Sequence, residues 1–433
     1  MLTTSRPNTT SRPNLSFSLL GFVVTATLCS SAARPADIGC ITSGRPAASL
    51  LFPLFEVDLA DAGGRTTLIS IGNSSDESVL AHVVVWTNCD LPVLDFDLLL
   101  AAGALQPLDL RSVIGRGRIP VAADDLPPFA GCPGVAPKAV LDDSALARLQ
   151  ARLTGAPDPE DGLCYAVPVE APRLATGYIT VDVLNRCSET LRTPLDEGYF
   201  ADGGTGLASN ANVLWGDFYF VDGNVNSAQG FEAVALVADA SAFTAPSFVP
   251  SFYSGFHLSL TGGDPGDNRL PLSSRYRTRF LNGGAFDGGT ELILWSQPPY
   301  IQFSQGEGFP CEFGSACRSV HFSVAARDER GQTVGEETHT IHTMPHNARR
   351  VDVETDLKLP VGFGTAELQL FETCGNCSVL GFYDFAVQGW VLPIYKASGR
   401  YSVGLSASRM DDFCVASGDQ SGEGFARDRG TRR

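Results

Sequence analysis

The chain has 433 residues, 31 of them Lys or Arg and 48 Asp or Glu, for a formal net charge of −17. That balance argues against nucleic acid as a partner, because a phosphate backbone calls for a basic footprint, and it describes a solvated acidic surface instead. The length suffices for two or three hydrophobic cores.

The first element reads as a leader. Arg6 and Arg12 precede an apolar run over residues 15–28, and small residues follow at Ala32 and Ala33, which is the order of a secretory signal peptide over residues 1–33. A membrane-spanning helix needs about 20 apolar residues, more than this run offers, so the expectation is a secreted, periplasmic or cell-surface protein with no membrane insertion. Leu28 before Cys29 speaks against lipidation there. Removing residues 1–33 takes away two Arg and no acid, so −17 becomes −19. Ten cysteines remain, an even number that an oxidising compartment favours as disulfides. Local pairs are expected at Cys311 with Cys317 and at Cys374 with Cys377, each closing a short loop.

Further along, TTLISIGNSSDESVLAHVVVW (residues 66–86) reads as two strands and a turn. A helix is expected at residues 141–155, capped by Asp143 or Ser144, with Leu146, Leu149 and Leu153 on one stripe and Gly155 ending it. GYITVDVLNRC (177–187) is strand, as is LWGDFYFVDG (214–223). A Pro-, Gly- and Ser-rich stretch over 249–272 reads as a linker. SVHFSVAARDERGQTVGEETHTI (319–341) reads as a hairpin turning at Gly331. The tail, 417–433, is polar and glycine-rich and reads as disordered.

The strands repeat. GYITVDVLNRC aligns without a gap with GTAELQLFETC (364–374), and Val181, Val183 and Leu184 fall opposite Leu368, Leu370 and Phe371, which keeps the period of two that buries one face of a strand. GGRTTLISI from Gly63 matches GGTELILW from Gly288 with Thr67 opposite Glu291, and LWGDFYFVDG matches LGFYDFAVQG (380–389), all in the same order. The helix falls in an insertion carried by the first copy only. The expectation is an all-β protein: two antiparallel β-sandwich domains from an internal duplication, domain 1 at 37–248 and domain 2 at 273–416. The pattern resembles bacterial immunoglobulin-like or fibronectin-like β-sandwich modules, and it is similar to secreted bacterial proteins carrying LWGD-type and TELILW-type segments. The resemblance implies a fold and no activity.

Several residues invite a chemical reading. Trp215 and Asp217 could stack on and hydrogen-bond a sugar, yet the echo replaces them with Gly381 and Tyr383, which favours strand packing. Asp222, Asn224 and Asn226 in DGNVN resemble the start of a calcium loop. Ser227 stands where that loop needs Gly, and Ala233 takes its twelfth position, so a hairpin turn is preferred. His321 and His339 could share a zinc across the hairpin, with an unliganded pair as the plainer reading. CGNC could be a redox dithiol, but strand follows it where activation needs a helix. No nucleophile elbow, zinc-helix motif or P-loop is present.

The leading expectation is therefore a non-catalytic exported structural or interaction module with a protein or glycan partner and no cofactor. The alternatives are a carbohydrate-binding protein using exposed Trp215, Trp295 or Trp390, and a metal-assisted hydrolase around His321 and His339.

Overall fold

The computed structural model describes residues 45–120, 140–168, 173–188, 192–196, 198–201, 204–243, 251–253, 267–297, 320–334, 340–344, 348–359, 362–373, 384–397, 401–404 and 408–409. Cys311, Cys317, Cys374, Cys377 and His339 lie outside them, as do the leader and the tail.

The described chain is built of strands. Those of the first half are β1 (Ser49–Asp58), β2 (Arg65–Asn73), β3 (Val79–Thr87), β4 (Pro92–Leu100), β5 (Leu105–Asp109), β6 (Leu174–Leu184), β7 (Leu214–Asp222), β8 (Ser227–Glu232) and β9 (Val234–Leu236). Those of the second half are β10 (Arg275–Asn282), β11 (Thr290–Ser296), β12 (Val320–Asp328), β13 (Thr340–Met344), β14 (Ala348–Asp352), β15 (Gly362–Thr373), β16 (Asp384–Ala386), β17 (Gly389–Ala397), β18 (Tyr401–Gly404) and β19 (Ser408–Arg409). They form four sheets whose strand pairs are all antiparallel. The orders β4-β3-β6-β1-β9 and β5-β2-β7-β8 belong to the first half, β13-β12-β15-β10-β19 and β14-β11-β17-β18 to the second. Each strand of the first half has a counterpart at the same sheet position and in the same chain order in the second. Only β16, which pairs with β15, is extra.

Side-chain detail repeats with the topology. In β6, Gly177 lies opposite Phe55, and a Cβ on it would stand 2.0 Å from the Trp86 carbonyl oxygen and 3.0 Å from the Phe55 ring. In β15, Gly364 lies opposite Phe280, and its Cβ would stand 2.1 Å from the Arg327 carbonyl oxygen and 2.5 Å from the Phe280 ring. An aromatic laid over a cross-strand glycine is thus used twice at one position. Likewise, the Thr67 hydroxyl accepts from the Glu56 N–H (2.9 Å) and donates to the Glu56 carbonyl (3.2 Å), as Thr290 does with Leu281 at 2.7 and 3.1 Å.

These equivalences correct two alignments. Thr67 corresponds to Thr290, one residue before the Glu291 that the letters suggested. The counterpart of β7 is β17, GWVLPIYKA, and not the stretch 380–389, which reaches the described residues only at β16 and the approach to β17. Identical letters misled because both segments mix aromatics with small residues, whereas strand order is set by hydrogen bonding.

Helix α1 (Asp143–Thr154) sits between β5 and β6, where the second half passes from β14 to β15 without a helix. Its cap is Asp142, one residue before those expected: the carboxylate accepts the Ala145 N–H at 2.8 Å and the Ser144 hydroxyl at 2.8 Å. Gly155 ends it at φ 73°, and Leu149 and Leu153 are its buried face. The predicted hairpin pairs β12 with β13, with Gly331 at φ 77°.

One hydrophobic cluster runs through both halves. Trp295 of β11 sits edge-on to Tyr178 of β6, ring centroids 5.7 Å apart, and stacks on Phe252 at 5.6 Å. The described parts of the expected linker are themselves buried, Phe252, Tyr253 and Arg269 completely.

Gly177→Ala and Gly364→Ala should each cost about 2–3 kcal/mol, because overpacking forces backbone to move. Urea unfolding of each variant checks this, and a loss below about 0.5 kcal/mol at both positions would refute the cross-strand packing described.

Candidate functional site

Three places gather polar or aromatic side chains. The first is buried. Asp182 on β6 accepts from Tyr199 Oη at 2.9 Å, from Tyr253 Oη at 3.1 Å and from the Ser49 hydroxyl, and Arg269 lies 3.4 Å away. Arg269 also faces Asp267 at 3.5 Å. Burial, and then the Asp182 charge, push both tyrosines well above their ordinary values. Nearby, His82 Nδ1 lies 2.6 Å from the Asp97 carboxylate and Nε2 lies 2.7 Å from the Arg192 carbonyl oxygen. Both neighbours are acceptors, so both ring nitrogens must carry hydrogen and the ring is an imidazolium. Burial alone would lower its pKa. The hydrogen bond and charge of Asp97, with the charge of Asp95, outweigh that and raise it. Burial pushes Asp95 up to about 6. These groups stitch segments together; His82, Asp182 and Arg269 are wholly buried, while Asp95 and Asp97 keep a small part of their carboxylates in water.

The second place is a cleft of about 230 Å³ where the halves meet. Arg350 of β14 forks onto Glu56 of β1, with Nε and a terminal nitrogen each 2.9 Å from a carboxylate oxygen, and reaches Glu291 at 2.6 Å. Its guanidinium also lies 4.4 Å over the Phe220 ring, and Lys396 takes the other Glu291 oxygen at 3.1 Å. Burial would raise Glu291, but the charges of Arg350 and Lys396 hold it low. The charges that meet here answer one another, which makes an ionic lock.

The third place is the outward face of the sheet β5-β2-β7-β8. In β7, Leu214, Phe218 and Phe220 point into the core, while Trp215 and Tyr219 remain 41% and 43% exposed. Trp215 lies opposite Gly72 and Tyr219 opposite Gly230. A Cβ on Gly72 would stand 2.2 Å from Trp215 Cε2 and 2.3 Å from Nε1, and one on Gly230 would stand 2.4 Å from Tyr219 Cε1. Each ring therefore lies down over a glycine and turns its other side to water. Between them, Asp217 accepts the Ser70 hydroxyl at 2.6 Å and is in register with Glu232 of β8. Leu68 and Leu105 add exposed apolar surface on the same side.

The other expected residues fall elsewhere. Trp295 and Trp390 are 0% and 6% exposed and pair across β11 and β17, so neither can meet a ligand. By the Thr67 to Thr290 equivalence, Trp390 occupies the position of Trp215, buried in one copy and exposed in the other. Asp222 and Ser227 close the β7–β8 hairpin. Asn224 donates to Asp61 at 2.7 Å, Arg65 lies 3.9 Å from Asp222, and Asn226 takes φ 50°, so these are turn residues. His321 is in register with Thr343, because Val324 already pairs with Thr340, and its ring stacks on Phe371 with centroids 5.9 Å apart. His339 lies outside the described residues, so the structure describes only the His321 side of the expected pair. Among the described residues no group of three or more His, Cys, Asp or Glu is placed to hold a metal.

Tyr219 was missed in the sequence, although a period of two puts it on the face of Trp215. His82, Asp182, Arg269 and Arg350 gave no signal, since their partners are remote in the chain.

No family of known sequences matches this chain, and no curated protein is similar to it in sequence. Among solved structures it shows a slight likeness to a lectin from Pleurotus ostreatus in complex with GalNAc. The identity is 10%, over 84% of this chain and 77% of that one, and the TM-score of 0.13 carries no argument. No described helix is long and apolar enough to cross a membrane.

The raised pKa of His82 fixes the sign of a pH effect. Its contribution to stability is complete below the ordinary value of 6.5 and is lost as pH rises through the higher folded value. Asp95, which holds its proton more tightly folded than unfolded, acts in the same direction as pH falls through about 6. The melting temperature should thus fall between pH 5.5 and pH 8, and His82→Gln should flatten that slope. Thermal melts that keep the full slope in the variant would show that His82 does not carry it.

Proposed function

We propose that this chain is a non-catalytic, exported carbohydrate-binding protein whose recognition surface is the outward face of the sheet β5-β2-β7-β8. The observation that carries the reading is the pair Trp215 and Tyr219, laid over Gly72 and Gly230 with their free sides in water and with Asp217 and Glu232 beside them. Aromatic faces suit the C–H surfaces of sugar rings, and carboxylates accept their hydroxyls. A contiguous exposed apolar patch rimmed by polar groups is typical of a binding surface, and Trp215, Tyr219, Leu68 and Leu105 together form such a patch. The buried Trp390 at the equivalent position supports the view that the fold has no need of an exposed one there. Export is supported by the leader-like residues 1–33 and the ten cysteines that follow them.

Binding of neutral glycans on an array and by calorimetry tests the proposal. Trp215→Ala and Tyr219→Ala should each weaken the best ligand about tenfold or more, the loss expected for one stacking contact worth about 1.4 kcal/mol, while the fold persists. Undiminished binding in both variants, or capture of a protein partner with no glycan bound at all, would overturn it.

A further inference from the structure

We infer that the ligand is a linear, uncharged polysaccharide lying along β7, with one sugar ring on Trp215 and another on Tyr219, and not a terminal sugar held in a pocket. The inference rests on the carbohydrate reading above.

The two rings belong to one strand, four residues apart. At about 3.3 Å per residue this places them roughly 13 Å apart, in line with β7. A single sugar cannot reach both, but a chain can. Neither ring stands up as a wall, because each lies across the glycine of a neighbouring strand. Of the other outward positions near this line, Ser70, Pro107, Ala228 and Gly230 are short or flat, and Leu68 and Leu105 extend the apolar surface beside the two rings. The surface is a platform, and a platform recognises the flank of a polymer.

Polar groups lie between the two ring positions, where the intervening part of a spanning chain would pass. Asp217 uses one carboxylate oxygen for the Ser70 hydroxyl, which leaves the second to accept a ligand hydroxyl. Glu232 is beside it in register. The sign of the charge selects the polymer: Asp109, Asp217 and Glu232 face outward from this sheet, and none of its outward positions on β2, β5, β7 or β8 is Lys or Arg. Uronate, sulfate or phosphate groups would meet like charge without compensation.

The test uses the full chain, affinity electrophoresis in gels containing linear β-glucan, β-mannan or polygalacturonate, and calorimetry with the matching oligosaccharides from one to six sugars. We expect retardation by at least one neutral polymer and not by polygalacturonate. Affinity should climb more than tenfold from the monosaccharide to the oligomer that spans both rings, then level off. Tyr219→Ala should remove the climb, so that the oligomers bind no more than about twofold better than the monosaccharide does to the same variant, and Tyr219→Phe, which keeps the ring, should restore it. A monosaccharide bound as tightly as the hexamer, or preference for the polyuronate, would defeat the inference and leave the carbohydrate reading standing. Absence of binding to every carbohydrate would defeat both.

Discussion

Between residues 49–58 and 174–184 two strands pair whose side chains are almost all removed from water, and the other sheets are arranged around that pair. One side of it receives the sheet β5-β2-β7-β8, through contacts such as Phe52 against Phe218, centroids 6.0 Å apart. The second half brings up β11 and β14, with Trp295 reaching Tyr178. Because β11 and β17 turn one face to their own partner sheet and the other toward the first half, they are buried nearly throughout. Among the described residues nothing comparable covers the outward face of β7, whose burial alternates. The two copies therefore differ in one aromatic face: the second uses it as glue, and the described residues leave the same face of the first exposed.

Relative magnitudes indicate what holds the halves together. An aromatic side chain buries about 150–250 Å², on the order of 4–6 kcal/mol at roughly 25 cal/mol/Å². An ion pair taken out of water roughly balances its own desolvation. Trp295, Tyr178 and Phe252 thus supply adhesion, while Arg350, forked between Glu56 and Glu291, supplies registration: a misdocked interface would strand a buried charge. The Asp182 and Arg269 cluster does the same for the segment joining the halves, and the His82 imidazolium does so for the stretch around Arg192.

Much of the scaffold was legible in the letters. Period-two patterning identified the strands, and the gapless match of Gly177 to Gly364 located a pair of equivalent strands that share even their glycine contacts. Helix α1 was visible from its apolar stripe and the terminating Gly155, although the capping carboxylate proved to be Asp142. The later matches failed in instructive ways. Thr67 was set against Glu291, one residue out of register, whereas the hydroxyl that bridges Glu56 identifies Thr290 as its equivalent. LGFYDFAVQG looked like LWGDFYFVDG because both are aromatic-rich strand material, and composition carries no information about which neighbour a strand will choose. Of the four Trp and Asp residues expected to bind a ligand, Trp215 and Asp217 share the candidate face, while Trp295 and Trp390 are interior.

By itself the sequence determined the class of the protein and its duplication, since alternation, turn residues and repeated spacing act over a few residues and are written locally. It also contained the alternation that puts Trp215, Asp217 and Tyr219 on one side of β7. Only the tertiary structure decided which of two equivalent aromatic faces stays in water, because that depends on how one copy docks on the other. The same holds for the charge on His82 and the fork of Arg350: each is set by partners brought together from distant parts of the chain, and burial converts those meetings into protonation and specificity.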